Sequence, residues 1–319
     1  MNPLRPAILA AAGSATLKNA ITKVPVTHAV VQRFVAGETR AELDPVARAL
    51  LASGRSISVD FLGEYTTDRG QADAAVTEYL SLIDDLAEAD HAVPGAHSEI
   101  PRVEVSLKLS ALGQSLGPDG PAIAAENLHK LCAKAVERRV WVTVDAEDHT
   151  TTADTLAAVR LARAEFPWLA VALQTYLRDA EDNARDLATD GTRIRLCKGA
   201  YQEPAAVAYQ RRAEVDASYL RCLNVLMRDA WYPMIATHDP AMITAALTLA
   251  GENNHSPGDY EFQMLYGVRD AEQKRLVADG HALRVYVPYG TQWYGYLMRR
   301  LAERPANLGF FLRALADRG

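Results

Sequence analysis

The stretch VWVTVDAEDHTTTADTLAAVRLARAEFPWLAVALQTY, residues 140–176, contains two short β-rich runs on either side of a segment with a helical pattern. The runs are residues 140–147 and 169–176, and the Ala-, Leu- and Arg-rich segment between them is residues 155–166. A strand, a helix and a second strand in this order form a unit with parallel strands and a right-handed crossover. The stretch therefore predicts an α/β protein.

The same alternation extends along most of the chain. Eight β-rich runs separated by helical segments predict a closed, TIM-like (β/α)8 barrel. A doubly wound open sheet is the alternative, but such a sheet usually has fewer strands. We expect an N-terminal helical extension in residues 1–55 and the barrel in residues 56–319, including a helix after the eighth strand. The runs are residues 56–64, 103–112, 140–147, 169–176, 193–201, 233–239, 260–267 and 283–290.

The composition excludes several classes of protein. The chain has 319 residues, of which 49% are hydrophobic and 23% charged, as is typical of a soluble globular protein. Its net charge of -6 argues against a nucleic-acid-binding protein, because such proteins usually carry a basic excess. Three cysteines without CxxC spacing indicate no disulfide framework, and we expect a cytoplasmic location. No HExxH motif and no apolar run of about 20 residues occurs, so we expect neither a metal site nor a membrane span.

Several of the predicted strands alternate between apolar and polar residues, which is unusual for parallel strands covered on both faces. If the apolar faces meet the helices, the polar faces point into the barrel, where they need a partner or a ligand. Glu104 and Arg193 lie near the N-terminal ends of their strands, and we expect them to form structural ion pairs. The alternating polar residues are Glu104, Ser106, Lys108, Arg193, Arg195, Glu261, Gln263, Arg284 and Tyr286.

Polar residues also collect at the carboxyl ends of the strands, where (β/α)8 enzymes build their active sites. A single polar residue at a strand end is weak evidence for an active site, but most of the eight strands carry one. Taken singly, Lys108 is also explained as a salt-bridge partner of Asp145, and His238 as a hydrogen-bonded core histidine. The residues are Lys108, Asp145, Gln174, Arg195, Lys198, His238 and Tyr286.

The segment YLMRRLAE, residues 296–303, has the period of a helix. One acidic side chain can balance only one of its two arginines, so the face keeps a positive charge. A solvated surface face with one ion pair is the plain interpretation. Because the helix directly follows the eighth strand, we expect it beside the barrel mouth, which favours a two-arginine clamp for a carboxylate. The residues on this face are Tyr296, Arg299, Arg300 and Glu303.

The tetrapeptide KGAY, residues 198–201, is a candidate phosphate site, because Lys198 carries charge and Gly199 permits close approach to the backbone. The chain has no GxGxxG, GxxxxGK[ST] or GxSxG motif, so any nucleotide would be held by barrel loops. A Schiff-base lyase or aldolase that uses Lys108 or Lys198 is a rival hypothesis. A non-catalytic barrel that binds an anion is another.

Seven segments resemble those of proline dehydrogenases in the same order: SLKLSALG, VDAED, LQTYLRD, RIRLCKGAY, ATHD, YEFQMLYG and VYVPYGTQWYGYLMRRLAERPAN. The resemblance covers residues 56–310 and is closer to short monofunctional bacterial members than to bifunctional proteins with an aldehyde dehydrogenase domain. It implies a distorted (β/α)8 barrel. It also implies FAD-dependent oxidation of L-proline to Δ1-pyrroline-5-carboxylate by hydride transfer to flavin N5, the first step of proline catabolism to glutamate. It also implies a membrane quinone as electron acceptor and transient contact with the inner face of the membrane.

The resemblance assigns substrate-binding roles motif by motif. It implies that Arg299 and Arg300 bind the proline carboxylate, that Glu303 positions one of them, and that Lys108 completes the carboxylate site. The residues implied to surround the proline ring are Tyr286, Tyr296 and Leu265.

The resemblance also assigns catalytic and cofactor roles. It implies that Asp145 supports the pocket through polar contacts and that Arg195 faces flavin N5. Cys197, at a position that is often aliphatic, and His149, after VDAED, depart from the family pattern without removing a ligand. The residues implied to hold FAD are Ala146, Gln174, Arg195, Lys198, Gly199, Ala200, Tyr201, Thr237 and His238.

Overall fold

Eight parallel strands pair in chain order, and β8 pairs with β1 to close a barrel. The computed structural model describes residues 31–63, 66–94, 100–189 and 191–303, with the backbone alone for residues 301–303. The (β/α)8 barrel predicted from the sequence is confirmed. The strands are β1 Ser56–Phe61, β2 Val103–Leu107, β3 Trp141–Val144, β4 Ala170–Gln174, β5 Arg193–Cys197, β6 Tyr232–Ala236, β7 Glu261–Leu265 and β8 Leu283–Tyr289.

A helix follows every strand, and another precedes β1. The predicted division into an extension (1–55) and a barrel (56–319) stays a prediction, because residues 1–30 and 304–319 lie outside the described part. None of the described helices is both long and apolar enough to cross a membrane. The helices are α1 Arg40–Ala52, α2 Arg69–Ala92, α3 Gly120–Arg138, α4 Thr152–Arg163, α5 Ala180–Thr189, α6 Arg212–Asp229, α7 Pro240–Glu252, α8 Asp270–Ala278 and α9 Trp293–Glu303, with a 3-10 turn at Gly117–Asp119.

Several strands have one apolar face and one polar face, as the alternation in the sequence predicts. On β2, Val103, Val105 and Leu107 are buried in a core cluster that includes leucines of α2 and α3. The other face of β2 points into the barrel, where Glu104 forms an ion pair of 2.9 Å with Arg193 of β5. The helices therefore cover the apolar side of the sheet, and the interior is left for polar chemistry.

Ion pairs and aromatic rings fill the N-terminal half of the interior. The Cζ atom of Arg193 lies 3.3 Å from the centroid of the Trp141 ring. Nε of Arg284 lies 2.8 Å from Glu261, and these four charged side chains of β2, β5, β7 and β8 are at most 1% exposed. The expected structural role of Glu104 and Arg193 is confirmed.

Replacement of Glu104 by glutamine is expected to lower the free energy of unfolding by about 3–5 kcal/mol at neutral pH, because it leaves buried guanidinium charge uncompensated. Burial acts to raise the pKa of Glu104, but Arg284, Arg195 and Arg193 outweigh it and lower the pKa to about 2. Since the folded-state pKa lies below the unfolded one, this stabilisation is complete above the ordinary glutamate pKa and is lost as the pH falls toward 2.

Urea unfolding at several pH values checks this expectation. The difference in the free energy of unfolding between the wild type and Glu104→Gln should be the same at neutral and mildly acidic pH. It should shrink once the pH falls below the ordinary pKa of a glutamate. The exposed Glu126, which pairs with Lys130 one turn away, provides the matched Glu126→Gln control. A small or pH-independent effect of Glu104→Gln would contradict the ion-pair account.

Candidate active site

The barrel is open at the carboxyl ends of its strands, an opening that we call the mouth. The strand interiors are buried, but the last residues of β5, β6 and β7 are half-buried. The half-buried residues among those singled out from the sequence are Ala146, Lys198, Gly199, Ala200, Tyr201, His238, Leu265, Tyr286 and Arg299. The buried ones are Lys108, Asp145, Gln174, Arg195, Thr237, Tyr296 and Arg300.

Arg195 spans the interior below the mouth, and each of its five N–H groups has an acceptor there. The acceptors come from β1, β2, β7 and the end of β3, so the planar guanidinium is held in one orientation. Burial opposes the charge of Arg195, but Asp145 and Glu104 outweigh it and raise its pKa. The acceptors are Gln263 (2.6 Å) for Nε, Ser106 (2.6 Å) and Asp145 (2.5 Å) for Nη1, and Ser58 (2.9 Å) and Glu104 (2.6 Å) for Nη2.

Lys108 lies between carboxylates on the two neighbouring strands. Its Nζ atom is 2.9 Å from Oδ2 of Asp60 on β1 and 3.5 Å from Oδ2 of Asp145 after β3. The Tyr286 hydroxyl donates to Asp145 at 2.8 Å, and burial together with the Asp145 charge raises the pKa of Tyr286 so that its phenol stays protonated. The plain interpretation of Lys108 as a partner of Asp145 is thus correct in part, and Asp60 is a contact that the sequence did not predict.

Helix α9 follows β8 but crosses the mouth toward the other side of the barrel. The Cζ atom of Arg299 lies 6.0 Å from the ring centroid of Tyr201, in the loop after β5. In the barrel order β5 is three strands away from β8, so a helix confined to the outer ring beside β8 would not bring these residues together. The distance is at the limit of a cation–π contact.

Arg300 is buried on the same helix. Its Cζ atom lies 5.2 Å from the ring centroid of Tyr296. Burial raises the pKa of the Cys197 thiol at the end of β5 to about 12, and the nearby charge of Arg300 counteracts part of that rise. Both arginines therefore lie at the mouth, whereas the side chain of Glu303 lies outside the described residues.

The KGAY loop approaches β4 so closely that only glycine fits at its second position. Gly199 has a φ of +105°, and a Cβ atom there would lie 2.3 Å from the ring of Tyr176. Lys198 pairs with Asp216 of α6 at 2.5 Å and with Asp239, the N-cap of α7, at 2.8 Å. This lysine ties the loop to two helices. Like Lys108, it is a paired ammonium group, which disfavours the Schiff-base hypothesis because the nucleophile must be a neutral amine.

Three other residues predicted to hold the cofactor form hydrogen bonds that shape the mouth. Nε2 of Gln174 donates to the carbonyl of Glu147 at 2.6 Å. The hydroxyl of Thr237 accepts a backbone N–H two residues later at 3.1 Å. Nε2 of His238 accepts the N–H of Leu265 at 2.9 Å, so His238 has the contacts of a core histidine while it is half-exposed at the mouth.

A histidine–glutamate pair that was not predicted joins the loops after β3 and β5. The buried carboxylate of Glu203 accepts the backbone N–H of His149 at 3.0 Å, contacts its Nδ1, and accepts from the Tyr176 hydroxyl at 3.3 Å. In the part of the chain that the structure describes, no group of three or more His, Cys, Asp or Glu residues is arranged to hold a metal ion.

A protein-family model described as proline dehydrogenase matches residues 45–313. The chain belongs to the proline dehydrogenase family. It is 35% identical over 289 residues to Proline dehydrogenase 1 of Bacillus subtilis, a match that covers 91% of each chain. The proline dehydrogenase of Deinococcus radiodurans is 35% identical over 288 residues, 90% of each chain. The chain is also similar to a crystal structure of proline utilization A (PutA) from Bdellovibrio bacteriovorus inactivated by N-propargylglycine, with a TM-score of 0.80 and 26% sequence identity. This match covers 90% of the present chain and 34% of the PutA chain.

Family membership confirms the predicted class, a flavin-dependent oxidoreductase of proline dehydrogenase type. The mouth also fits FAD on its own features. In its KGAY loop, Gly199 has no side chain and residues 198–201 are half-buried. The rigid cation Arg195 lies two residues before the end of β5.

Replacement of Gly199 by alanine is expected to reduce the affinity for FAD about tenfold, because displacement of the Tyr176 ring costs about 1–3 kcal/mol. Flavin content per purified chain measures the effect. Gly280→Ala is the matched control, because Gly280 also has a positive φ (+89°) but open space around its missing Cβ. Equal flavin content in the two variants would show that the close approach of this loop does not shape the cofactor site.

Proposed function

We propose that the chain oxidises L-proline to Δ1-pyrroline-5-carboxylate, with proline bound in the mouth between α9 and the floor formed by Lys108, Asp145 and Arg195. The course of α9 across the mouth is the observation that supports this best. It brings Arg299 and Arg300 to the place where a small amino acid would enter the barrel.

The two arginines are proposed to bind the carboxylate of proline. Among the described residues inside the barrel, four cations form ion pairs with four carboxylates. The two guanidinium groups of α9 lie at the mouth beside this interior, and their forked donors match the geometry of a carboxylate. Lys108 and Glu303 are proposed to complete this carboxylate site. The paired interior residues are Lys108, Arg193, Arg195 and Arg284 with Asp60, Glu104, Asp145 and Glu261.

The ring of proline is proposed to lie against Tyr286, Tyr296 and Leu265. The Tyr286 phenol is fixed by its hydrogen bond to Asp145, so this wall does not move aside easily. A five-membered ring should therefore fit, and a hydroxylated ring or an open chain should fit less well. Fixing both the carboxylate and the ring holds the carbon beside the nitrogen in one position, which is the protein's main contribution to the rate.

When bound, FAD supplies the hydride acceptor at its N5 atom. The residues proposed to hold it are Ala146, Gln174, Arg195, Lys198, Gly199, Ala200, Tyr201, Thr237 and His238. Arg195 is proposed to stabilise negative charge on the reduced cofactor, and its five hydrogen bonds support this role because they keep the charge in place.

A membrane quinone is proposed as the electron acceptor, reached through transient contact at the inner face of the membrane from a cytoplasmic location. This proposal rests on the family resemblance.

Turnover of the purified chain tests the proposed function. The protein should be yellow with bound flavin, L-proline should bleach the flavin band without oxygen, and a dye acceptor should restore it. A flavoprotein whose spectrum does not respond to L-proline would refute the proposal. Trapping of a substrate on Lys108 or Lys198 by borohydride would favour the Schiff-base alternative instead.

A further inference from the structure

We propose that Asp60 is a positioning residue for substrate binding, which acts by holding the Lys108 ammonium group at the carboxylate site. This inference rests on the proposed function. Asp60 lies on β1, is 1% exposed, and its Oδ2 atom is 2.9 Å from Nζ of Lys108.

The order of the strands explains why Asp60 matters. Lys108 directly follows β2, whereas Asp60 lies on β1 and Asp145 directly follows β3, the two strands that flank β2. A lysine side chain has four rotatable bonds, so one carboxylate alone does not fix its ammonium group. Carboxylates on both sides of the ammonium group hold it in place. Without Asp60, the contact to Asp145 would draw the ammonium group toward β3, where Arg195 and Tyr286 already use that carboxylate.

Asp60 is itself held from outside the barrel. The hydroxyl of Tyr79, a fully buried residue of α2, lies 3.4 Å from Oδ1 of Asp60 and donates to the carbonyl of Ser106 at 3.0 Å. Helix α2 thus braces β1 and β2 at the level of Lys108. The Tyr79 hydroxyl therefore packs directly against the Asp60 carboxylate, which makes no contact with proline in the proposed pose.

A double-mutant cycle tests the inference. In the holoenzyme, Asp60→Asn is expected to raise the KM for L-proline about tenfold, with kcat and flavin content nearly unchanged, because the substrate carboxylate loses a positioned cation. In a Lys108→Met background the same Asp60→Asn change should have no further effect on KM, since the group through which it acts is gone. Asp85→Asn removes a surface partner of Arg40 and is the matched control.

A binding measurement separates positioning from general loss of structure. The affinity for tetrahydrofuran-2-carboxylate, a ring carboxylate that cannot be oxidised in the same way, should fall by the same factor as the KM rises. It can be followed through the flavin spectrum. A purely structural role would instead lower flavin content and leave the affinity of the remaining holoenzyme unchanged.

The outcomes are distinct. An unchanged KM in Asp60→Asn, or an equal increase with and without Lys108, would overturn the inference. If Asp60→Asn does not fold with FAD, Asp60→Glu keeps the charge and displaces it by one methylene. Asp60→Glu should raise the KM by a smaller factor, again only when Lys108 is present. An unchanged KM in this variant would also overturn the inference. Failure of the proposed function would appear separately, as a wild-type flavoprotein that L-proline does not reduce.

Discussion

Replacement of Arg299 by methionine is expected to raise the KM for L-proline about 100-fold while FAD stays bound. The guanidinium group offers two parallel N–H donors to a carboxylate, and loss of such a charge-assisted pair costs about 2–5 kcal/mol in a partly desolvated site. Methionine keeps the unbranched apolar stem of the side chain without its charge, so folding is expected to be largely retained. Steady-state kinetics with a dye acceptor and the flavin-to-protein ratio measure both parts of the expectation.

The matched control is Arg228→Met, because Arg228 pairs with Asp229 on the exposed face of α6. Its KM and flavin content should equal those of the wild-type protein. An unchanged KM in Arg299→Met would show that α9 does not bind the carboxylate. A loss of flavin or of folding without a change in KM would assign Arg299 a structural role.

Replacement of Arg195 by methionine is expected to lower the free energy of unfolding by about 3–5 kcal/mol and to abolish turnover. The change removes five hydrogen bonds, and two of their acceptors, Glu104 and Asp145, are buried carboxylates that lose a compensating charge. Arg195→Lys should recover only part of the stability, because an ammonium group has three donors and no planar fork. Urea unfolding of the holoenzyme and of the flavin-free protein measures the loss.

Two results would contradict this expectation. A stability equal to the wild type would mean that the interior network does not depend on Arg195. Full turnover in Arg195→Met would exclude its proposed role beside the cofactor. If Arg195→Met does not fold at all, the partial recovery expected for Arg195→Lys still tests the same network.

The fold followed from patterns that are local in the sequence. Eight β-then-α units predicted the barrel, and the alternation in residues 103–110 predicted that Glu104 and Lys108 point inward. Both inferences were correct because side-chain direction has a period of two in any strand, so a polar face must find partners or face an opening.

Contacts between distant parts of the chain could not be predicted in the same way. Asp60 continues the polar alternation of Ser56 and Ser58 on β1, but nothing local marks it as a partner of Lys108. The pairing of His149 with Glu203 depends on two loops whose conformations follow from their tertiary neighbours. The position of α9 at the mouth was predicted from its place after the eighth strand, but its reach to Tyr201 depends on the path of the helix across the barrel.

A crystal structure of the holoenzyme with bound tetrahydrofuran-2-carboxylate tests the central claim most directly. The account predicts that the guanidinium groups of Arg299 and Arg300 both donate to the carboxylate oxygens at about 2.7–2.9 Å, with the ring against Tyr286 and above the interior cations. A carboxylate bound away from α9, or both guanidinium groups directed into solvent while the ligand occupies the barrel, would contradict it.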